Sequence, residues 1–427
     1  MVEIEQRSIC SGVNFRSIKD TRFKTMRISV NFMLPIEKQM AAANALLPFL
    51  LSRASHEYPD FTKLGERLAE LYGAELNADV QKLGEAQVLA VCAVGLADRY
   101  ALNGENISLE LAKLLCSILF DPPFENGLFP QDGFDQEKRQ TVEMIDSEYN
   151  DKRIYAKQRC EQIMCANEPF GISRYGSRED IQKVERPELT SSWKYMLQNA
   201  KVEVMVLGDC NPEPVYDGFC KAFQALNRKA AADCHTEVVR TVVDVKDVTE
   251  KQNIAQSKLV LGFRAGTAVP DENVAAAKLM VALYGGTPHS KLFLNVREKL
   301  SLCYYCSSRY DSNKGLIFVE SGVETQNIEK AKTEILLQLD EIKKGNFDDD
   351  EINSAKMSMC NSYRTLGDYL GGMESWYVSQ TFQNKIQTPE EAAEEISAVT
   401  REQIIAAANE VTLDTVYRLV GSEDEQA

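Results

Sequence analysis

Two stretches of the chain, about two hundred residues apart, repeat the same apolar spacing. In each copy a second apolar residue follows the first by three positions, a third follows it by eight, and a glycine comes 25 to 27 positions after the first. The copies are Ile181, Val184, Leu189, Gly208 and Ile396, Val399, Ile404, Gly421. A short helix, a second helix and a strand fit both copies. Because self-similarity of this kind marks a duplicated structural unit, the sequence predicts two similar α+β domains.

The length of the chain agrees with this duplication. A chain of 427 residues exceeds what one ordinary hydrophobic core accommodates. The apolar pattern weakens between residues 226 and 250, so we place the connection at 229–250, one domain at 1–228 and the other at 251–427. The predicted fold class is α+β, with two tandem homologous α/β domains, each an antiparallel-rich sheet covered by helices.

Hydrophobic periodicity locates the main elements. A two-residue period over residues 26–32 predicts a strand, and a helix with Pro48 in its interior should follow it. One long helix is predicted from Asp135 to about Ala166, because its apolar residues form one broad face. In the second half, strands are predicted at 259–263, 303–310 and 316–323, and helices at 273–284, 289–300, 326–344 and 349–370.

The charge of the chain excludes one large class of partners. Its net charge of −16 argues against binding to nucleic acid, which depends on clustered Lys and Arg side chains. An acidic surface is compatible with basic peptides, but no local feature supports that preference. The first residues form no secretion signal and no apolar run is long enough to cross a membrane, so we expect no membrane partner.

Eleven cysteines are scattered singly along the chain. An odd number without paired spacing fits a reducing compartment better than a disulfide framework, so we predict a cytoplasmic protein. Cys303 and Cys306 form a lone C-x-x-C in a predicted strand. Three-residue spacing places them on opposite faces of a regular strand, and no second pair completes a zinc site. We interpret them as structural residues.

The sequence contains few groups suited to catalysis. Histidine is the most common general base and a frequent zinc ligand, but only His56, His235 and His289 are present, and none has a second His or Cys at ligand spacing. We interpret them as surface or capping residues. The chain has no G-x-S-x-G, Walker, dinucleotide-binding or H-E-x-x-H motif.

The most specific motif lies in residues 284–304. It reads Tyr-Gly-Gly-Thr-Pro-His-Ser-Lys, followed by Leu-Phe-Leu-Asn-Val-Arg-Glu-Lys-Leu-Ser-Leu-Cys-Tyr. This stretch resembles the second domain of M16 (pitrilysin/insulinase-type) peptidases and mitochondrial processing peptidase subunits, where a Gly-rich turn precedes S-x-L-F-x-x-x-R-E-x-x-x-L-x-Y. In the first half, residues 135–145 and 169–181 resemble the long helix and the P-Y-G segment of the same family. The resemblance covers nearly the whole chain and implies two domains of the LuxS/MPP-like metallohydrolase type.

The zinc site of that family is missing here. Active members carry H-x-x-E-H on the first helix of domain one and a glutamate ligand on the long helix. Matching those helices places Ala45, Pro48 and Phe49 at the three motif positions and Met144, beside Glu143, at the fourth. One carboxylate cannot hold zinc, which needs three or four protein ligands. We therefore expect no cofactor in this chain, and zinc only in a catalytic partner.

The substrate contacts of the family are retained. An arginine and a tyrosine at the positions of Arg297 and Tyr304 approach the peptide backbone in the family, and a guanidinium and a phenol are suitable donors for carbonyl oxygens. The resemblance thus implies a non-catalytic subunit of a heterodimeric M16B peptidase, with a zinc-bearing homologue and an extended peptide as partners. Without that role, Arg297 would pair with Glu298 or Glu320 and Tyr304 would be a half-buried strand residue.

Two alternatives remain open from the sequence. One is a purely structural subunit with no peptide contact, and the other is an active peptidase with an unrecognised metal site. Residues 45–53 and 67–76 also look similar to bacterial M16-like proteins of the YmfF type, whose family naming associates them with modification of elongation factor P.

Overall fold

The computed structural model describes residues 3–383 and 385–422. The strands in this part of the chain are β1 Glu3–Cys10, β2 Val13–Lys19, β3 Thr25–Pro35, β4 Glu75–Leu83, β5 Ala86–Leu96, β6 Lys201–Gly208, β7 Lys246–Gln252, β8 Ser257–Arg264, β9 Cys303–Asp311, β10 Leu316–Val323 and β11 Thr412–Gly421. They form two sheets of six and five strands, which agrees with the predicted α+β class.

Both halves of the chain contain several helices. The first half contains α1 Ala41–Leu51, α2 Phe61–Glu70, α3 Ile107–Phe120, α4 Gln131–Asn150, α5 Lys152–Met164, α6 Arg178–Lys183, α7 Arg186–Asn199 and α8 Glu213–Gln224. The second half contains α9 Val274–Val281, α10 Ile328–Lys343, α11 Asp349–Thr365, α12 Leu370–Val378, α13 Pro389–Ala398 and α14 Arg401–Glu410. Two π-helical segments, Ala282–Gly286 and Leu292–Lys299, follow α9.

The five strands of the second sheet repeat the topology of five strands of the first sheet, to which β1 is added. The six-stranded sheet has the order β1-β2-β6-β3-β5-β4, and the five-stranded sheet has the order β7-β11-β8-β10-β9. In the first sheet β2 and β6 are parallel, in the second β7 and β11 are parallel, and the other neighbours are antiparallel. The open edges at β4 and β9 come from strands that each precede an antiparallel partner, β5 and β10.

The repeat predicted from the sequence is present as repeated structure. The first copy forms α6, α7 and β6, and the second forms α13, α14 and β11. Each of the six apolar residues that defined the repeat is buried, from 0% exposed at Ile181 to 6% at Val399. A capping box begins each of the four helices. In each box the N-cap residue and the residue three positions later exchange side-chain and backbone hydrogen bonds.

The chain forms two compact units that are not contiguous in sequence. Unit 1 consists of Met1–Asp146, Ile172–His235 and Tyr369–Thr381, and unit 2 of Ser147–Gly171, Thr236–Asp368 and Phe382–Ala427. Each half of the chain therefore contributes one excursion to the other unit. The boundaries predicted at 1–228, 229–250 and 251–427 divide the chain by sequence order and stay a prediction.

The excursions place one helix on the face of each sheet. α5, from the first half, packs on β8, β10 and β11 of unit 2 through buried residues such as Cys160 and Met164. α12, from the second half, packs on β3 and β6 of unit 1, where Tyr377 is fully buried. The helices α4 and α5 in one half thus correspond to α11 and α12 in the other.

The prediction of one long helix over residues 135–166 is wrong. The structure has two helices there, α4 and α5, which belong to different units. The break lies at Asp151, whose carboxylate accepts hydrogen bonds from the backbone N–H groups of Arg153 and Ile154. An N-cap of this kind satisfies donors that would otherwise be bonded within a continuous helix.

Among the described residues, none of the helices combines the length and the apolar composition that a bilayer span requires.

Candidate functional site

Arg297 lies on the second π-helix, Leu292–Lys299. Buried side chains and one side-chain hydrogen bond hold this helix on the core of unit 2. Leu292 and Val296 are fully buried in the core of unit 2, and the Asn295 amide donates to Gln338 Oε1 at 2.7 Å. The guanidinium of Arg297 lies 4.6 Å from the centre of the Phe293 ring, and its side chain is 41% exposed. The buried side chains of Leu292 and Val296 hold the helix, and the Arg297 guanidinium reaches the surface from it.

The ion pair of Arg297 is weak. Its Nε lies 3.6 Å from Oε1 of Glu298, whose own side chain is 55% exposed. Glu320, the other partner considered from the sequence, pairs with Arg153 at 3.1 Å instead. An exposed pair at this distance stabilises by less than about 1 kcal/mol, so the guanidinium is available to a ligand.

Tyr304 lies in a β-bulge at the start of β9. Tyr305 is opposite Gly322 and Cys303 is opposite Val323, so Tyr304 is an extra residue without a partner on β10. Its side chain is 62% exposed. A bulge redirects a side chain that a regular strand would hold in alternation, and bulges are frequent beside functional sites. The expectation of a half-buried strand residue is therefore not met.

The same bulge corrects the prediction for Cys303 and Cys306. We predicted opposite faces, but the extra residue shifts the alternation by one, and both thiols are buried in the core of unit 2. A hydrogen bond from Cys306 lowers the pKa of Cys303, and the same bond with burial raises the pKa of Cys306. The described residues contain no cluster of three or more His, Cys, Asp or Glu side chains able to hold a metal.

Apolar side chains are exposed around Arg297. Leu294, Leu300 and Tyr304 are 41%, 44% and 62% exposed, although all three are large hydrophobic residues within one short segment. Ser301 has a positive φ of 52°, which turns the chain sharply between the π-helix and β9. Exposed apolar groups concentrated beside a polar contact residue are typical of a surface that binds another molecule.

Gly285 allows the π-helices to approach β9 closely. A Cβ atom at this position would lie 2.7 Å from Leu292 Cδ1 and 2.8 Å from the backbone nitrogen of Ser308. The Ser308 hydroxyl in turn donates to the carbonyl of Val281 at 3.1 Å. The glycine in the Gly-rich turn is therefore required by packing between the turn and the strand.

We expect Gly285→Ala to lower the free energy of unfolding by about 1–3 kcal/mol, since the added methyl group displaces backbone as well as side chain. Urea denaturation followed by circular dichroism measures it. Gly65→Ala is the matched control, because a Cβ there meets nothing within 4 Å and the helix α2 should gain up to about 1 kcal/mol. If both variants changed the free energy of unfolding equally, the close packing of Gly285 against β9 would be contradicted.

The positions of the family zinc motif are occupied by residues that cannot bind a metal. Ala45 and Pro48 are buried on α1, and Phe49 packs against the core of unit 1. Met144 lies on α4, and the adjacent Glu143 is 69% exposed and 4.0 Å from Arg139. These residues do not fit zinc. The absence of a cofactor from this chain stays a prediction.

The fold and the motif define a class of protein. The two sheets share a five-stranded arrangement, and a glycine-rich turn in the second half is followed by an arginine and a tyrosine on the segment that leads into an edge strand. Together these features match the two-domain architecture of the M16 peptidases. A family model described as "Peptidase M16 inactive domain" matches residues 183–359. The chain is also 31% identical over 420 residues to "Probable inactive metalloprotease YmfF" of Bacillus subtilis (strain 168), which covers 98% of both proteins. The chain belongs to the M16 peptidase family.

Other relatives extend the comparison. The chain is 24% identical over 312 residues to "Non-peptidase homolog YmxG" of Helicobacter pylori, covering 69% of this chain and 70% of that protein. A crystal structure of a conserved protein from Enterococcus faecalis V583 superposes with a TM-score of 0.90 and 28% identity over 99% of this chain and all of that one. A peptidase M16 inactive domain from Pseudomonas fluorescens shares the fold, with a TM-score of 0.79, 15% identity and full coverage of both chains.

Proposed function

We propose that this chain is a cytoplasmic, non-catalytic M16-like subunit that pairs with a zinc-bearing homologue and uses Arg297 and Tyr304 to position an extended peptide. The observation that carries the proposal is the exposure of these two side chains on a rigid segment beside an open strand edge. The eleven free cysteines fit a reducing compartment.

The non-catalytic part of the proposal rests on chemistry. Ala45, Pro48, Phe49 and Met144 supply neither metal ligands nor a general base, so this chain has no group to activate water at the family position. The relatives named as an inactive metalloprotease and a non-peptidase homologue support the same interpretation.

The pairing part rests on the kinds of relatives. Bacillus subtilis contains both the inactive relative and "Uncharacterized zinc protease YmxG", which is 22% identical to this chain over 248 residues. A binding subunit and a zinc-bearing subunit of one family, present in one organism, fit a division of labour. The peptide would add to an open sheet edge, where backbone hydrogen bonds provide affinity with loose side-chain specificity.

The test is peptide hydrolysis by this chain mixed with its zinc-bearing homologue. We expect the mixture to cleave peptides faster than the homologue alone. Arg297→Ala should lower kcat/KM of the mixture about ten- to hundredfold, because a displaced peptide loses its reactive geometry. Tyr304→Phe should lower it about fivefold, which is one lost hydrogen bond of about 1 kcal/mol.

Arg364→Ala is the matched control, since Arg364 is exposed on α11 and has no ion pair among the described residues. Size-exclusion chromatography should show the same complex for every variant. A failure to form a complex would overturn the pairing. Hydrolysis that is unchanged by Arg297→Ala would leave a structural subunit instead. Stoichiometric zinc on the isolated chain would overturn the non-catalytic role.

A further inference from the structure

The edge of the second sheet at β9 carries positive charge, although the protein as a whole is strongly acidic. Within residues 292–310 there are three basic residues, Arg297, Lys299 and Arg309, and one acidic residue, Glu298, in a chain of net charge −16. Lys299 and Arg309 are exposed. Local charge of this sign matters more to a bound peptide than the net charge, because salt screens exposed charges beyond about 10 Å.

These basic groups are not neutralised within the protein. Lys299 and Arg309 have no hydrogen bond or ion pair to any described side chain, and Arg297 reaches Glu298 only at 3.6 Å. A cation that has no carboxylate partner is a stronger attractor for an external anion than one already paired. The segment therefore presents three available positive charges.

The face of the sheet beside this edge holds both cations and carboxylates. Arg153 lies 4.4 Å from the centre of the Tyr305 ring, and Lys258 lies 5.9 Å from it. Burial lowers the pKa of Lys258, and the positive charge of Arg153 lowers it further. The negative charge of Asp151 acts in the opposite direction. Glu320 pairs with Arg153 at 3.1 Å, and Asp151 acts on Lys258. The unbalanced positive charge therefore lies on residues 292–310 and not on the face beside Tyr305.

The backbone of β9 is open for pairing. Within the described residues β9 pairs only with β10, and it is the last strand in its sheet. An open edge strand is a template for an added strand. The corresponding edge of the first sheet, at β4, differs in charge, since its exposed residues include Glu75 and Asp79 and no exposed cation. The two edges are thus distinct binding surfaces.

We propose that the β9 edge binds extended peptides rich in aspartate and glutamate. The peptide backbone pairs with β9, apolar side chains contact Leu294 and Leu300, and carboxylates contact Lys299 and Arg309. This inference rests on the proposed function, since it names the substrate class of the same surface. It also reverses the preference for basic peptides that the net charge alone would favour.

Three fluorescein-labelled peptides test the inference by fluorescence anisotropy. They share length and apolar positions and differ only in carrying Asp and Glu, Asn and Gln, or Lys at the remaining positions. We expect the acidic peptide to bind at least tenfold more tightly than the basic one, with the difference shrinking between about 50 and 500 mM salt as charges are screened. Arg309→Glu and Lys299→Glu should each weaken the acidic peptide about three- to tenfold.

Arg364→Glu is the control variant, because it makes the same charge change at an exposed arginine of unit 2 outside this edge. It should leave the affinity of the acidic peptide within about twofold. Circular dichroism and thermal melts establish that each variant is folded. Equal affinity for the three peptides, or equal losses in Arg309→Glu and Arg364→Glu, would overturn the acidic preference and leave the proposed function intact. If none of the peptides binds, the proposed function itself fails.

Discussion

Replacing Glu168 with alanine is expected to lower the free energy of unfolding by about 3–5 kcal/mol, because it leaves two buried cations without their shared carboxylate. Glu168 follows α5 and binds Arg264 Nη2 at 2.6 Å and Lys314 Nζ at 2.7 Å. The Arg264 and Lys314 side chains are 3% and 0% exposed. Asp414 keeps one bond to Arg264, at 2.9 Å, and the carbonyl of Glu237 keeps a hydrogen bond from Lys314.

Burial alone would raise the pKa of Glu168, but the hydrogen bonds from Arg264 and Lys314 hold it below its ordinary value of 4.5. A carboxylate with a depressed folded-state pKa stabilises above its unfolded pKa, and this stabilisation is lost as pH falls through the lower folded value. The difference between the wild type and Glu168→Ala should therefore be full at pH 7 and shrink below about pH 4.5.

Urea denaturation at several pH values measures this effect, and hydrogen exchange locates it. We expect faster exchange in α5, because Glu168 connects the end of that helix to unit 2. The control is Glu394→Ala, since Glu394 is exposed on α13 and has no ion pair among the described residues. Losses of similar size in the two variants, or a Glu168→Ala deficit that grows on acidification, would contradict the role of this carboxylate.

The repeat could be predicted from sequence because its signal is local. Buried apolar residues at fixed spacing and capping boxes at each helix start depend only on neighbours along the chain. The break between α4 and α5 was missed because apolar residues recur at helical spacing on both sides of Asp151. Which sheet each helix covers depends on contacts far apart in sequence, and periodicity carries no information on them.

The site was predicted in part. The family motif identified Arg297 and Tyr304, but it carried no information on exposure, on the weak pair with Glu298 or on the bulge. A regular two-residue period was assumed for β9, and one extra residue placed Cys303 and Cys306 on the same buried side of the strand. The positively charged edge was not predicted, because the sequence does not show that β9, which carries Arg309, is the edge strand of its sheet.

A second cluster of buried charges lies where a helix from the second half of the chain packs on the sheet of unit 1. Arg16 on β2 and Glu203 on β6 are each 1% exposed, with Nη2 and Oε2 3.8 Å apart. Arg16 Nη1 also donates to the carbonyl of Tyr377 at 3.1 Å, and the Asn14 amide donates to Glu203 at 2.7 Å. The cluster therefore connects α12, which comes from the second half of the chain, to the sheet of unit 1.

Removal of one partner should have unequal effects. Burial lowers the pKa of Arg16 and raises the pKa of Glu203. A guanidinium still cannot lose its proton near neutral pH, whereas a buried carboxyl can become neutral. Glu203→Leu should therefore cost about 3–5 kcal/mol, because a fixed charge stays buried without its partner. Arg16→Met should cost about 1–3 kcal/mol, because Glu203 can take up a proton and keep its bond from Asn14.

The pH dependence follows from the same asymmetry. A carboxyl group whose pKa is raised by folding stabilises the protein fully at pH values below its unfolded-state pKa, here about 4.5. This stabilisation is lost as the pH rises through the folded-state pKa. The deficit of Arg16→Met should thus be smallest near pH 4.5 and grow toward pH 8, while that of Glu203→Leu should shrink over the same range, because this variant lacks the carboxyl group whose titration destabilises the wild type. Urea denaturation across this range measures both variants.

The double variant Arg16→Met/Glu203→Leu provides the decisive comparison. It leaves no buried charge, so it should be more stable than Glu203→Leu alone, and the single effects should fail to add by more than about 1 kcal/mol. If the single effects were equal and additive, the pair would contribute only packing. A stable double variant whose α12 exchanges amide hydrogens at the wild-type rate would show that the Arg16–Glu203 pair is not needed to hold this helix on unit 1.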